Sequence, residues 1–134
     1  MGWLTERVGE LTRIVERLLS SPELLFDSSL RSNLPEEPGL YAIYIREAGE
    51  YIRAGRADAA GGLRQRVYQN HFMGDQEGNL RSQLVRSGRC SSLEDAKSWI
   101  RNNCAVRVLV VRDDEERRWG EHFMLSVLRP RFSN

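Results

Sequence analysis

The chain has 134 residues, 40% hydrophobic and 29% charged, with a formal net charge of +1. That length suits one domain with its own core and leaves little room for a second module. No uncharged apolar run approaches membrane-spanning length, and Glu6, Arg7, Glu10, Arg13, Glu16 and Arg17 interrupt the N-terminus, so a signal peptide is not expected.

In chain order, Trp3, Leu4, Val8, Leu11, Ile14, Val15, Leu18 and Leu19 recur at helical spacing with charges between them. They predict an amphipathic helix over 3–19 that packs on the domain or forms a dimer seam. Ser20-Ser21-Pro22 ends it, and a loosely organised segment follows to Pro38. Gly39–Arg46 and Glu50–Ala54 read as two strands of a hairpin, rich in Tyr and Ile and joined by a turn containing Gly49. Leu63, Val67 and Phe72 suggest a short helix with Arg64 and Arg66 in its first turns, and a second short helix covers 79–86. Ser91 to Asp95 has the form of a capping box opening a helix to about Asn103. Ala105–Arg112, with four valines and a leucine, is the clearest strand. Asp113–Glu116 places acids at the start of a last helix, where they complement the macrodipole, and Pro130 ends it.

This order predicts a small α/β (α+β) sandwich: a three-stranded, largely antiparallel sheet flanked by helices. Residues 1–37 would form the N-terminal helix and its connection, and residues 38–134 the functional domain. Cys90 and Cys104 have no metal-ligand spacing and are expected to be reduced thiols of a cytoplasmic protein.

The charge distribution is uneven. Residues 1–37 carry four arginines against seven acids, a net of −3, whereas residues 51–90 carry seven arginines against three acids, a net of +4. Of the twenty basic residues, Lys97 alone is a lysine. A general arginine bias would explain the identity but not the clustering, and arginine's planar fork suits bidentate phosphate contacts. In the last helix Glu121 falls in line with Leu125 and Leu128. A carboxylate on an apolar side requires an ion-pair partner or a hard divalent cation, which takes one or two carboxylates plus water and phosphate oxygens. His71 and His122 share no metal-binding spacing. Tyrosines, clustered arginines and one semi-buried acid together suit metal-assisted attack on a phosphodiester, a phenol handling the proton.

These residues resemble the GIY-YIG nuclease family. Gly39-Leu40-Tyr41 is similar to the first motif, and Tyr51-Ile52, its glycine delayed to Gly55, to the second. Leu63-Arg64-Gln65-Arg66-Val67 resembles the basic helix start, and Glu121, Leu128-Arg129-Pro130 and Asn134 resemble the family's ending. The resemblance runs from about Pro38 to Asn134. It implies a DNA endonuclease using one Mg²⁺ or Mn²⁺ held by Glu121, with Tyr41 activating water, Tyr51 nearby, Arg66 on the scissile phosphate and Asn134 bracing the site. Either Tyr51 is the second-motif tyrosine with two residues inserted, or Arg53 takes that place and Gly55 aligns directly. Residues 51 and 53 are expected on one strand face. The position four after Arg66 is Asn70, with His71 beside it, so His71 would serve as a proton shuttle only if the helix shifts register. Arg53, Gly55, Arg56, Arg64, Arg81 and Arg86 are the expected nucleic-acid contacts, and a homodimer would supply two sites. The alternative is a DNA-binding module of the same fold without catalysis.

Overall fold

A computed structural model describes residues 2–58 and 60–133. Helix α1 (Trp3–Leu19) leads through strand β1 (Leu24–Leu25) and a single turn of helix, α2 (Leu30–Asn33), into the hairpin β2 (Gly39–Ile45) and β3 (Glu50–Ala57). A π-helix (Arg64–Phe72), α3 (Leu80–Arg86) and α4 (Leu93–Asn103) follow, then β4 (Cys104–Val110) and α5 (Asp114–Leu128). The mixed α/β class agrees with the sequence reading. The sheet, however, has four strands rather than three, all antiparallel, in the order β1-β4-β2-β3. The extra strand is only two residues long and pairs Leu24 with Val106 and Leu25 with Ala105, so its own sequence carries too little alternation to announce it.

Each sheet face carries its own core. On one face Tyr41, Ile43, Ile52 and Val106 pack against Leu63, Val67 and Phe72 of the π-helical region, Leu80 and Leu84 of α3 and Ile100 of α4. On the other, Leu40, Ala42 and Ala54 pack against Val15 and Leu18 of α1 and Met124 of α5. Residues 15–34 thus contribute to both cores through Val15, Leu18, Phe26, Leu30 and Leu34. The predicted caps are present: Ser92 accepts from Asp95 N, Asn79 from Ser82 N and Asp113 from Glu116 N. Cys90 and Cys104 are buried free thiols. No helix among the described residues is long and apolar enough to cross a membrane.

Two irregularities position the site. The β2–β3 register passes from Ile43↔Arg53 to Tyr44↔Tyr51, leaving Ile52 as a bulged residue. This corrects the expectation that residues 51 and 53 share a face, since one extra residue inverts the alternation beyond it. Tyr51 lies against Tyr44, with ring centroids 5.8 Å apart, beside the α1/α5 core. Arg53 shares the opposite face with Tyr41. The second irregularity is the π-helix. Its i→i+5 pattern, seen in the 2.9 Å bond from Met73 N to Tyr68 O, aligns residues five apart, whereas an α-helix would separate them by about 140°.

Candidate active site

The free edge of β3 is where the two faces of the sheet meet. Tyr41, on the adjacent strand β2, lies opposite Gly55. A Cβ on Gly55 would sit 2.9 Å from Tyr41 Oη, so glycine is what lets the phenol pass. Gly39 has a comparable reason, because a Cβ there would lie 2.1 Å from the Leu109 carbonyl oxygen across the sheet. From α5, Glu121 reaches this edge and accepts the outward backbone N–H of Arg56 at 3.1 Å. Its other oxygen pairs with Arg56 Nη1 at 3.1 Å. The acid on the apolar side of α5 is therefore satisfied by a strand edge that would otherwise lack a partner.

Tyr41 and His71 form the buried centre, 1% and 2% exposed. Tyr41 Oη lies 2.8 Å from His71 Nε2. His71 Nδ1 accepts the backbone N–H of Leu80 at 3.1 Å. A backbone amide can only donate, so Nδ1 carries no proton and Nε2 of the neutral ring must carry it. His71 therefore donates to the Tyr41 oxygen. Burial, reinforced by the charges of Arg53 and Arg66, holds the imidazole well below its ordinary range and keeps it neutral. The shift of register that sequence reading required for His71 is present, because Arg66 and His71 are five apart in a π-helix. The tautomer nevertheless corrects the shuttle expectation: this imidazole gives a hydrogen bond to Tyr41 and cannot take its proton.

Arg53 is 2% exposed. Its Nη1 donates to Gly78 O at 2.8 Å and to Gln83 Oε1 at 2.5 Å, and its side chain also donates to Tyr41. Burial pushes the Tyr41 phenol above its ordinary range. The charges of Arg53 and Arg66 and the bond from Arg53 oppose that rise, while Glu121 adds to it. Arg66 is half-buried and donates from Nε to Arg56 O at 3.4 Å. Tyr41, Arg53, Arg66, His71 and Glu121 thus share one electrostatic neighbourhood, although they arise from four elements.

No protein-family model matches the chain, and no curated protein matches it significantly. The assignment of chemistry therefore rests on the geometry.

Several expected contacts lie elsewhere. Arg53 and Arg81 were expected on nucleic acid, but both are buried, and Arg81 donates to Gly74 O and Leu93 O. Their fan of donors closes loops around α3, a role that residue type alone does not distinguish from phosphate binding. Arg64 ties the π-helix to Leu34 O and Glu36. Arg56 keeps a half-buried guanidinium between Glu121 and Asp58, and Arg86 is exposed beside Arg131 and Phe132. Tyr51 is on the far face, and Asn134 lies outside the described residues. Its neighbour Ser133 offers its carbonyl to Gln83, the same side chain that holds Arg53. The tail also covers the start of β3, where Arg131 N and Phe132 N donate to Tyr51 O and Ile52 O. Sequence reading missed Gln83 and the Leu80 amide; neither carries a local signal, because both act through where α3 docks.

Glu121 is the one acid at this centre, and no cluster of three or more His, Cys, Asp or Glu that would cage a metal occurs among the described residues. Its side chain is 14% exposed, and each of its oxygens accepts one bond. A lone carboxylate with remaining lone pairs fits a hard cation that keeps most of its waters and takes phosphate oxygens. Arg56 already has Asp58 as a second partner, 3.3 Å away, and can yield the Glu121 oxygen without losing every ion pair.

Proposed function

We propose that this chain is a divalent-metal-dependent nuclease that hydrolyses DNA phosphodiester bonds, in line with its resemblance to the GIY-YIG family. The observation that carries the reading is the convergence on Tyr41 of Arg53, Arg66 and Glu121, from separate elements, around a phenol oxygen with two donors. Glu121 would hold Mg²⁺ or Mn²⁺. The bound ion would supply charge for the phosphate oxygens and the leaving oxygen. Arg66 would bind a non-bridging oxygen of the scissile phosphate and offset the charge that develops there. Ionised Tyr41 would take the proton of the attacking water as its oxygen bonds to phosphorus. The P–O bond to the leaving oxygen then breaks, and that oxygen is protonated from solvent. Arg56 and Arg86 would contact the backbone of the bound strand.

A second reading has its own support. Tyr41 is almost wholly buried and Glu121 is already paired with Arg56, an arrangement also suited to a DNA-binding module without catalysis. Supercoiled-plasmid nicking separates the two. The nuclease reading expects nicking by the parent chain only with Mg²⁺ or Mn²⁺, and a loss on the order of 10²-fold or more in Glu121→Ala and Arg66→Ala. Salt-sensitive DNA binding with no nicking under any metal would favour the binding module.

A further inference from the structure

The most unusual group in the molecule is a guanidinium in the core. Leaving a buried charge without compensation costs several kcal/mol, so such groups persist where bonds and an opposite charge compensate them. Arg53 has one end fixed by Gly78 O and Gln83 Oε1, and its side chain reaches the oxygen of Tyr41, an ionisable group. Tyr41 is pinned from the other side by the Nε2–H of His71, whose tautomer is set by Leu80 N. A phenol oxygen has two lone pairs and one proton. With both lone pairs accepting, the proton has no acceptor among these partners and must point away from them. The same two donors remain well placed once the proton has left.

We propose that Arg53 is a positioning residue that makes Tyr41 usable as a base: its buried guanidinium and the Nε2–H of His71 clamp the phenol oxygen and favour its ionised form. The inference rests on the reading of Tyr41 as the proton-handling group. The charged and titratable groups facing the phenol are Arg53 from β3, Arg66 and neutral His71 from the π-helix, and Glu121 from α5. On β4 the residue paired with Tyr41 is Val108, which is uncharged. Burial alone would suppress ionisation, as it does for any phenol placed in a low-dielectric core. Arg53 acts first among the groups that oppose it. The bulge at Ile52 is what makes the clamp possible, because without it Arg53 and Tyr51 would share one face.

The test separates this clamp from the nuclease reading by following Tyr41 directly. The full chain is prepared with 3-fluorotyrosine, whose more acidic phenol brings titration into the range where the fold survives. Of its four tyrosines, the Tyr41 signal is assigned by its loss in Tyr41→Phe. Fluorine NMR between about pH 7 and 11 should show Tyr41 titrating at least about one pH unit higher in Arg53→Gln than in the parent. Arg53→Lys, which keeps the charge but not the fork, should fall between them. It also serves as the informative variant if Arg53→Gln does not fold. The rising limb of the nicking rate against pH should move upward by the same interval, with kcat falling about tenfold at fixed pH and KM unchanged. An Arg53→Gln or Arg53→Lys protein whose Tyr41 titrates where the parent's does would overturn the clamp. A parent chain that nicks no DNA, yet shows the expected order of titrations, would sustain the clamp and remove the nuclease reading.

Discussion

Gly55→Ala perturbs the site by a single methyl group, and its size can be worked from the structure. The new Cβ would lie 2.9 Å from Tyr41 Oη, 3.2 Å from Cζ and 3.4 Å from Cε1. The ring has little room to retreat, since it is 1% exposed and bound to His71 and Arg53. It must shift by a few tenths of an ångström or more, stretching the 2.8 Å bond to His71. Overpacking of this kind costs about 1–3 kcal/mol. Displacement of a catalytic group by about 1 Å costs on the order of 10²-fold in rate. Urea unfolding, compared at constant m-value, should show the stability loss, and plasmid nicking in the same buffer should fall about 10- to 100-fold. Gly9→Ala in α1 is the control. Its Cβ meets only the mobile end of Arg13, at 3.4 Å, and replacing a helical glycine should add about 0.5–1 kcal/mol. A Gly55→Ala protein as stable and as active as the parent would refute the argument from space. One that is destabilised but fully active would remove Tyr41 from the chemistry.

The neutral, buried state of His71 has a consequence for stability. Its folded-state pKa lies well below that of the unfolded chain, about 6.5, so the stabilisation is complete above that pH and is lost as pH falls through the folded value. Between about pH 6.5 and 5, unfolding free energy should drop by up to ~1.4 kcal/mol per pH unit, and His71→Gln should flatten the slope. Parent and variant with parallel profiles in that window would contradict the tautomer assignment. The depressed carboxyl of Asp58, bonded by Arg117, is lost only as pH falls below about 4 and does not interfere. On α1, Trp3 (72% exposed), Leu4 (60%) and Val8 (43%) continue outward the stripe whose inner end, Val15 and Leu18, is buried. If that stripe pairs with a second copy, Leu4→Glu with Val8→Glu should convert dimer to monomer in sedimentation while leaving the unfolding midpoint nearly unchanged. An identical sedimentation profile for parent and variant would exclude pairing through this face.

Local chemistry made much of this protein legible in its sequence. The spacing of Trp3 to Leu19, the Ser92 and Asp113 caps, the Gly49 turn and the valines of β4 each act over a few residues, and each produced the expected element. Glu121 stood out for the same reason: a carboxylate on an apolar stripe requires a partner wherever the helix packs. Tyr41 and Arg66 could be placed on elements, but not the groups that bind them. Tertiary packing alone decided that Ile52 bulges and that residues 64–72 wind as a π-helix, because neither state is favoured by any residue in isolation. The bulge turned Tyr51 toward Tyr44 and Arg53 inward to Tyr41; the π-helix brought His71 between Tyr41 and the Leu80 amide. A shift of one residue in a strand reverses every side chain beyond it, and one extra residue per helical turn rotates the next turn by about 100°. Sequence could thus supply the members of this site, while packing chose which of them meet.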